Sequence, residues 1–304
     1  MSIDLVVPKE VELPTLLDEL RKLSWASADV LMAYARGGEP PYGFPKSLTV
    51  EEGGDGPVSA ADMAVNELLI SGLKDNLAFK EWDILSEETS KEKTFQQDNY
   101  KKDWCWILDP LDGTKDFLQG SENYAVHIAL AYKKKPKIGI VLIPEKNELW
   151  FGIVGIGAWF ENRDGSKNHF SFSDRVDISK LILVSSKNHQ QSKLNNLLST
   201  LCFGETKKIG SVGCKVASIL RGEADVYISL SGKTSPKDWD MAAPHALIEA
   251  AGGMFSHADG KNLVYQETNY SQSGCLIASH GKSHQKICQK AMDFFSLEEP
   301  EYLV

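Results

Sequence analysis

Cysteine is scarce and scattered. The five residues Cys105, Cys202, Cys214, Cys275 and Cys288, spread over 304 positions with no C-x-x-C pair, suggest neither a disulfide framework nor a zinc site and fit a reducing compartment. Long hydrophobic runs are missing too. The notable apolar run, Ile138 to Ile143, is far too short to cross a bilayer. The opening Met1-Ser-Ile-Asp-Leu-Val-Val-Pro-Lys-Glu lacks the basic segment and apolar core of a secretory signal, so a soluble, cytoplasmic protein is expected. With only 24 Gly and 12 Pro the chain is neither fibrous nor disordered. Positive charge is in deficit: 33 Lys and Arg against 42 Asp and Glu give a formal net charge of −9, which argues against a nucleic acid or an anionic membrane as partner. A small anionic substrate stays open, because a divalent cation bound first would dominate the local field.

What is present is a globular pattern, 42% apolar, without internal repeats. Helical spacing from Leu13 to Ala35, stopped by Gly37-Gly38, predicts a first amphipathic helix. Ser59-Ala-Ala-Asp62 has the form of a capping box and opens a second, running through Leu73. Strand-like segments follow at 82–85, 104–108, 125–131, 138–143 and 148–153, with a charged loop at 90–102, so the first half reads as helices followed by an antiparallel sheet. Helix and strand then alternate: strands at 181–185, 226–230 and 275–279, helices at 191–201, 212–220, 241–251 and 283–295. A soft boundary near residue 180, with no flexible linker, divides the chain into halves 1–180 and 181–304.

The most informative segment is Trp104-Cys-Trp-Ile-Leu-Asp109-Pro-Leu-Asp112-Gly-Thr-Lys-Asp116-Phe, where an apolar strand runs straight into carboxylates. Asp109 and Asp112 can converge on one side of such a turn, with the Leu111 carbonyl between them, as hard oxygen ligands suited to Mg²⁺. Gly113 and Thr114 offer N–H groups to a phosphate oxygen. An isolated D-x-x-D-G is more often an ordinary turn. Two further segments add weight: Ile84-Leu85-Ser86-Glu87-Glu88 ends a strand in acid, and Lys237-Asp238-Trp239-Asp240 places Asp240 at the N-cap of a helix with Pro244 in its first turn. Each alone has a bland reading, cap or solvated loop, and Asp62 alone reads as a cap.

Taken together, Ser86-Glu87-Glu88, Asp109-Pro-Leu-Asp112-Gly-Thr114 and Trp239-Asp240-Met-Ala-Ala243 resemble the acidic loop, the D-P-[IL]-D-G-T motif and the W-D-x-A-A segment of the inositol monophosphatase superfamily. These are Mg²⁺-dependent, lithium-sensitive phosphatases. The likeness covers most of residues 55 to 280. Gly113-Thr-Lys115-Asp116-Phe117 and Gly210-Ser-Val-Gly-Cys-Lys215 resemble the 3'(2'),5'-bisphosphate nucleotidase branch of sulfate-assimilating bacteria, although Val212-Gly213 stands where many of its members have a Ser-Ser pair. Trp239-Asp240 followed by Ala242-Ala243-Pro244 resembles a subset with broad substrate use.

The resemblance implies an α/β (α+β) fold, the layered α-β-α-β-α sandwich, with most metal ligands in the N-terminal α+β half and Asp240 and substrate contacts in the C-terminal α/β half. It implies removal of the 3'-phosphate of 3'-phosphoadenosine 5'-phosphate, or of its phosphosulfate analogue, by metal-activated water. Two to three Mg²⁺ ions are implied, with inhibition by Li⁺. Glu87, Asp109 and the Leu111 carbonyl would hold the first ion, Asp109, Asp112 and Asp240 the second, and Glu87 with Asp62 would support a third. Asp62, Thr114 and Glu87 are the implied catalytic residues; Gly113, Thr114, Lys115, Ser211, Lys215 and Asp240 the implied substrate contacts. For Lys215 the competing reading is an exposed helix lysine, and for His127 a buried structural histidine. The rival functions are an inositol 1-phosphate or fructose 1,6-bisphosphate phosphatase, broad in substrate, and an inactive phosphate-binding regulatory protein. Either a monomer or a homodimer is consistent with the resemblance.

Overall fold

A computed structural model describes residues 7–8, 11–53, 56–75, 82–92, 102–187, 192–231, 235–267 and 269–298. The elements of its first part are α1 (Leu13–Ala35), β1 (Val50–Gly53), β2 (Gly56–Ser59), α2 (Ala60–Asp75), β3 (Asp83–Ser86), α3 (Glu87–Glu92), β4 (Trp104–Asp112), α4 (Thr114–Leu118), β5 (Ala125–Tyr132), β6 (Lys135–Ile143), β7 (Glu148–Ile153), β8 (Gly157–Glu161) and β9 (Lys167–Asn168). The remainder comprises β10 (Ile182–Ser186), α5 (Ser192–Leu201), β11 (Glu205–Ile209), α6 (Val212–Leu220), β12 (Val226–Leu230), α7 (Asp238–Ala250), β13 (Met254–His257), β14 (Cys275–Ser279) and α8 (His284–Glu298).

Strands β3 to β9 form a seven-stranded sheet in chain order, parallel at β3–β4 and antiparallel elsewhere. A second, five-stranded sheet runs β11-β10-β12-β14-β13 and is mixed. Three apolar clusters make the layering visible. Leu16, Leu20 and Leu31 of α1 and Val65 and Leu69 of α2 bury themselves on one face of the large sheet, against Trp106, Ile128 and Phe151. Val216 and Ile219 of α6, with Met241 and Leu247 of α7, fill the space between the two sheets. Leu197 of α5 and Phe295 of α8 close the outer face of the small sheet. The order of layers is thus α-β-α-β-α.

Helix α7 lies on the large sheet across a floor of glycine. Gly139 of β6 and Gly152 of β7 are register partners. A Cβ at Gly139 would come within 2.3 Å of the Ala243 carbonyl oxygen, and one at Gly152 within 2.4 Å of Leu247 Cα. Only hydrogen fits at either place, and the opposing helix face supplies Ala243 and Ala246. The close approach fixes where the N-terminal end of α7 meets the end of β4.

Two sequence expectations need correction. Helix α7 starts at Asp238, so Asp240 is its third residue and not its N-cap, and Pro244 lies in the helix interior. The 90–102 region is not all loop, since α3 extends to Glu92; residues 93–101 of it lie outside those described. Strands β8, β9, β11 and β13 were not legible from alternation. The Glu205-Thr-Lys-Lys-Ile209 segment is a polar edge strand whose burial is slight.

Candidate metal and catalytic centre

A regular strand sends residues three apart to opposite faces. Between Asp109 and Asp112 the β4–β5 register slips: Asp109 pairs with His127 and Asp112 with Ala125, three residues opposing two. The extra residue is a bulge, the place in a sheet where Pro110 is tolerated. It turns both carboxylates to one side. Gly113 follows in the left-handed region at φ 95°, where a Cβ would also come within 3.0 Å of the Asn123 carbonyl oxygen. The chain then turns into α4 with Thr114 first.

Asp240 reaches this point from the other direction. Its carboxylate accepts the Lys237 N–H at 2.5 Å, back-capping the helix. Carboxylate oxygens of Asp109, Asp112 and Asp240 all lie within 4.8 Å of one another. Glu87, first residue of α3, follows Ser86, which pairs in parallel register with Leu108. Its charge acts on both Asp109 and Asp62.

Clustered carboxylates of this kind repel. Burial pushes the Asp109 carboxyl well above the usual range, and the charges of Glu87, Asp112 and Asp240 push it further. Asp109 Oδ1 accepts the Leu111 N–H at 3.1 Å, whereas Oδ2 is buried with no hydrogen-bond donor among the described residues. Three convergent hard-oxygen ligands, one with an orphaned oxygen, have the chemistry of a divalent-cation site. The residues present fit Mg²⁺ or a similar ion.

The role of Asp62, ambiguous in sequence, divides between its two oxygens. The Ser59 N–H and hydroxyl donate to Oδ2 at 2.8 and 2.5 Å, the capping-box arrangement. The Thr114 hydroxyl lies 3.0 Å from Oδ1 and 3.1 Å from the Leu111 carbonyl, so its single proton has two acceptors in reach. Burial lifts the Asp62 carboxyl to about 6, with Glu87 adding to the rise and the Ser59 and Thr114 hydrogen bonds opposing it.

The implied substrate contacts are placed unevenly. Gly113 and Thr114 are at the centre, and Lys115 points to solvent. Ser211 caps α6, accepting the Cys214 N–H at 3.2 Å, and its hydroxyl donates to Asp112 Oδ2 at 2.6 Å. Lys215 is not an exposed helix lysine: it is 2% exposed, its ammonium donates to the Gly210 carbonyl, and it sits 5.2 Å from the Tyr227 ring centroid. Burial lowers its pKa, opposed by the charges of Asp112, Asp116 and Asp240. His127 is buried as expected. Trp104 stacks with Trp82 and meets Tyr132 at a tilt, at the far end of β4 from the carboxylates, and Trp150 and Trp159 pack on Phe160 and Phe151.

Sequence reasoning gave no site role to Asn66, which accepts the Ser86 hydroxyl at 2.6 Å beside Glu87, or to Gly213, whose N–H donates to Asp112 Oδ2 at 3.2 Å. No motif marks either position.

No described helix is long and apolar enough to cross a membrane. The Inositol monophosphatase family model matches residues 16–294. The chain is 30% identical to the 3'(2'),5'-bisphosphate nucleotidase CysQ of Salmonella typhimurium, over 82% of this chain and 94% of that protein. Its fold is similar to an IMPase of Thermotoga maritima (TM-score 0.72, 21% identity, 93% of this chain and 99% of that one). It is also similar to an IMPase/NADP phosphatase solved with Mg²⁺ and phosphate (TM-score 0.68, 19% identity, 91% and 93%). With the match spanning almost the whole chain and the acidic motifs converging in space, the chain belongs to the inositol monophosphatase family.

Proposed function

We propose that this chain is a divalent-metal-dependent, lithium-sensitive phosphomonoesterase that removes the 3'-phosphate of 3'-phosphoadenosine 5'-phosphate and of the corresponding phosphosulfate. The observation that carries the metal-dependent hydrolysis is the convergence of Asp109, Asp112 and Asp240 beside the Asp62–Thr114 pair. The nucleotide substrate is supported by relatives named as bisphosphate nucleotidases, and Mg²⁺ by the neighbour solved with that ion.

Glu87, Asp109, the Leu111 carbonyl, Asp112 and Asp240 would hold the metal, and Asp62 with Glu87 would support a further, weaker ion. When bound, a divalent ion supplies positive charge that lowers the pKa of water, screens the phosphate oxygens and steadies a departing alkoxide. Thr114 takes up the proton of the attacking water as it gives its own to Asp62, whose raised pKa suits it to receive one. The N–H groups of Gly113 and Thr114 bind the transferred phosphoryl. Asp240 stands on the leaving-group side. The second phosphate is assigned to Lys215, and Lys115 is a further substrate contact.

The withdrawn position of Lys215, bonded to the Gly210 carbonyl, favours a second reading. With that lysine turned away from a ligand, the site discriminates less and acts on inositol 1-phosphate or fructose 1,6-bisphosphate as well. Phosphate release from the three substrates at saturating Mg²⁺ separates the two. A kcat/KM for the nucleotide about a hundredfold above the others, worth about 2.7 kcal/mol, supports the first reading. Equal rates on all three support the second.

A further inference from the structure

In the small sheet the parallel strands β10 and β11 send the helices that follow them to opposite faces. Helix α5, after β10, packs Leu194, Leu197 and Leu201 with Phe295 on the outer face, whereas α6, after β11, buries Val216 and Ile219 between the sheets. Connections that part in this way open a crevice at the carboxyl ends of the two strands, the place where ligands of α/β sheets bind. Lys187 stands at this edge, directly after Ser186, the register partner of Ile209. Gly210 and Ser211 follow on the other strand, and Ser211 reaches Asp112 of the metal centre at 2.6 Å.

The Lys187 ammonium lies 3.7 Å from Asp116 Oδ1; the aspartate side chain is 2% exposed and the lysine side chain 45%. Asp116 sits two residues after Thr114 in α4. Its other oxygen is packed against Gly210, where a Cβ would come within 2.4 Å of Oδ2. The Gly210 carbonyl in turn holds the ammonium of Lys215, so two lysines gather about Gly210 and Asp116, one withdrawn and one facing water. At 3.7 Å the Lys187–Asp116 pair is held by charge rather than by a hydrogen bond, and an ammonium has three N–H donors to offer a phosphate oxygen. Two lysines against one aspartate leave a positive balance here, in a chain whose net charge is −9.

We propose that Lys187 is a specificity-determining residue: its ammonium receives the phosphate that is not cleaved, at the mouth of the β10–β11 crevice, with Lys215 behind it. The inference rests on the nucleotidase reading above. A substrate with its reacting phosphate at Gly113 and Thr114 runs past Asp116 to reach Lys187, a contact that a bisphosphate makes and a monophosphate does not. Removing a hydrogen-bonding partner of a charged group typically weakens binding about 10- to 100-fold.

The test is steady-state phosphate release by the full-length protein at saturating Mg²⁺, on wild type and Lys187→Met, from two substrates. One is 3'-phosphoadenosine 5'-phosphate; the other is adenosine 3'-phosphate, which keeps the scissile bond and lacks the second phosphate. Met keeps the apolar stem of the lysine without its charge. The expected result is a kcat/KM for the bisphosphate that falls about 10- to 100-fold in Lys187→Met, chiefly through KM, with the 3'-monophosphate within about threefold of wild type. Should the Met variant melt well below wild type, Lys187→Gln carries the same comparison. An unchanged preference for the bisphosphate in the variant overturns the assignment, and so does an equal fall on both substrates. Wild type that cleaves the two nucleotides equally well has no subsite for a second phosphate and overturns it too. Wild type that cleaves neither nucleotide, yet releases phosphate from inositol 1-phosphate, overturns the nucleotidase reading itself.

Discussion

The Thr114 hydroxyl stands 3.0 Å from Asp62 Oδ1, joining the first residue of α4 to the first turn of α2 across 52 positions of sequence. Because Ser59 occupies the other carboxylate oxygen, Asp62 is fixed before a substrate arrives. Thr114→Val keeps the shape of the side chain and removes the hydroxyl; kcat should fall by about 10²–10⁴-fold with little change in melting temperature. Thr114→Ser should restore most of it. Steady-state phosphate release on the three proteins checks this.

Asp109 carries the repulsion of the cluster. Without metal, Asp109→Asn removes a buried carboxyl whose ionisation burial and the charges of Glu87, Asp112 and Asp240 oppose, so the variant should melt above wild type in EDTA. With Mg²⁺ the order should reverse, because a ligand bound at about 100 times its Kd adds about 2.7 kcal/mol to wild type and nothing to a protein that has lost the site. Thermal melts with and without Mg²⁺ measure both differences.

The glycine floor under α7 is equally exposed to test. Gly152→Ala drives a methyl against Leu247 Cα, and backbone cannot swing aside as a side-chain tip would. A loss of about 1–3 kcal/mol is expected. Because α7 carries Asp240, Mg²⁺ affinity should weaken with it, whereas Ala substitution at the open Gly155 should not alter Mg²⁺ affinity. Urea unfolding and metal titration together distinguish these.

How much of this was legible beforehand depends on where the causes lie. The capping box at Ser59 and the apolar spacing of α1 are local, and both appear at the expected residues. The convergence of Asp109, Asp112 and Asp240 followed from the motif resemblance, while the bulge that produces it depends on pairing with β5, about fifteen residues on. The start of α7 was misplaced because Pro244 reads as a first-turn marker, yet a tertiary docking on Gly139 and Gly152 holds it inside the helix. The burial of Lys215 and the grip of Ser211 and Gly213 on Asp112 are contacts between distant segments and leave no local pattern.

A pH effect separate from the site comes from His284. Its ring nitrogens meet the Ser256 and Ser279 hydroxyls at 2.8 and 2.9 Å, and burial lowers its pKa from 6.5 to about 4. A lowered pKa in the folded state means that the unfolded chain binds the proton first. This contribution is therefore complete above pH 6.5 and is lost as pH falls from there towards 4, at a slope of up to about 1.4 kcal/mol per pH unit. His284→Gln lacks it. The variant should be less stable than wild type at pH 7.5, and the gap should narrow on acidification to pH 4.5. Urea midpoints at three pH values read this.

Phosphate release from 3'-phosphoadenosine 5'-phosphate by wild type and by Asp109→Asn, each with Mg²⁺ and with EDTA, is the most direct measurement of all. Wild type with Mg²⁺ should turn over, and the other three conditions should fall to background. Release that persists in EDTA, or in Asp109→Asn with Mg²⁺, would contradict the assignment of these carboxylates to a metal-dependent hydrolysis.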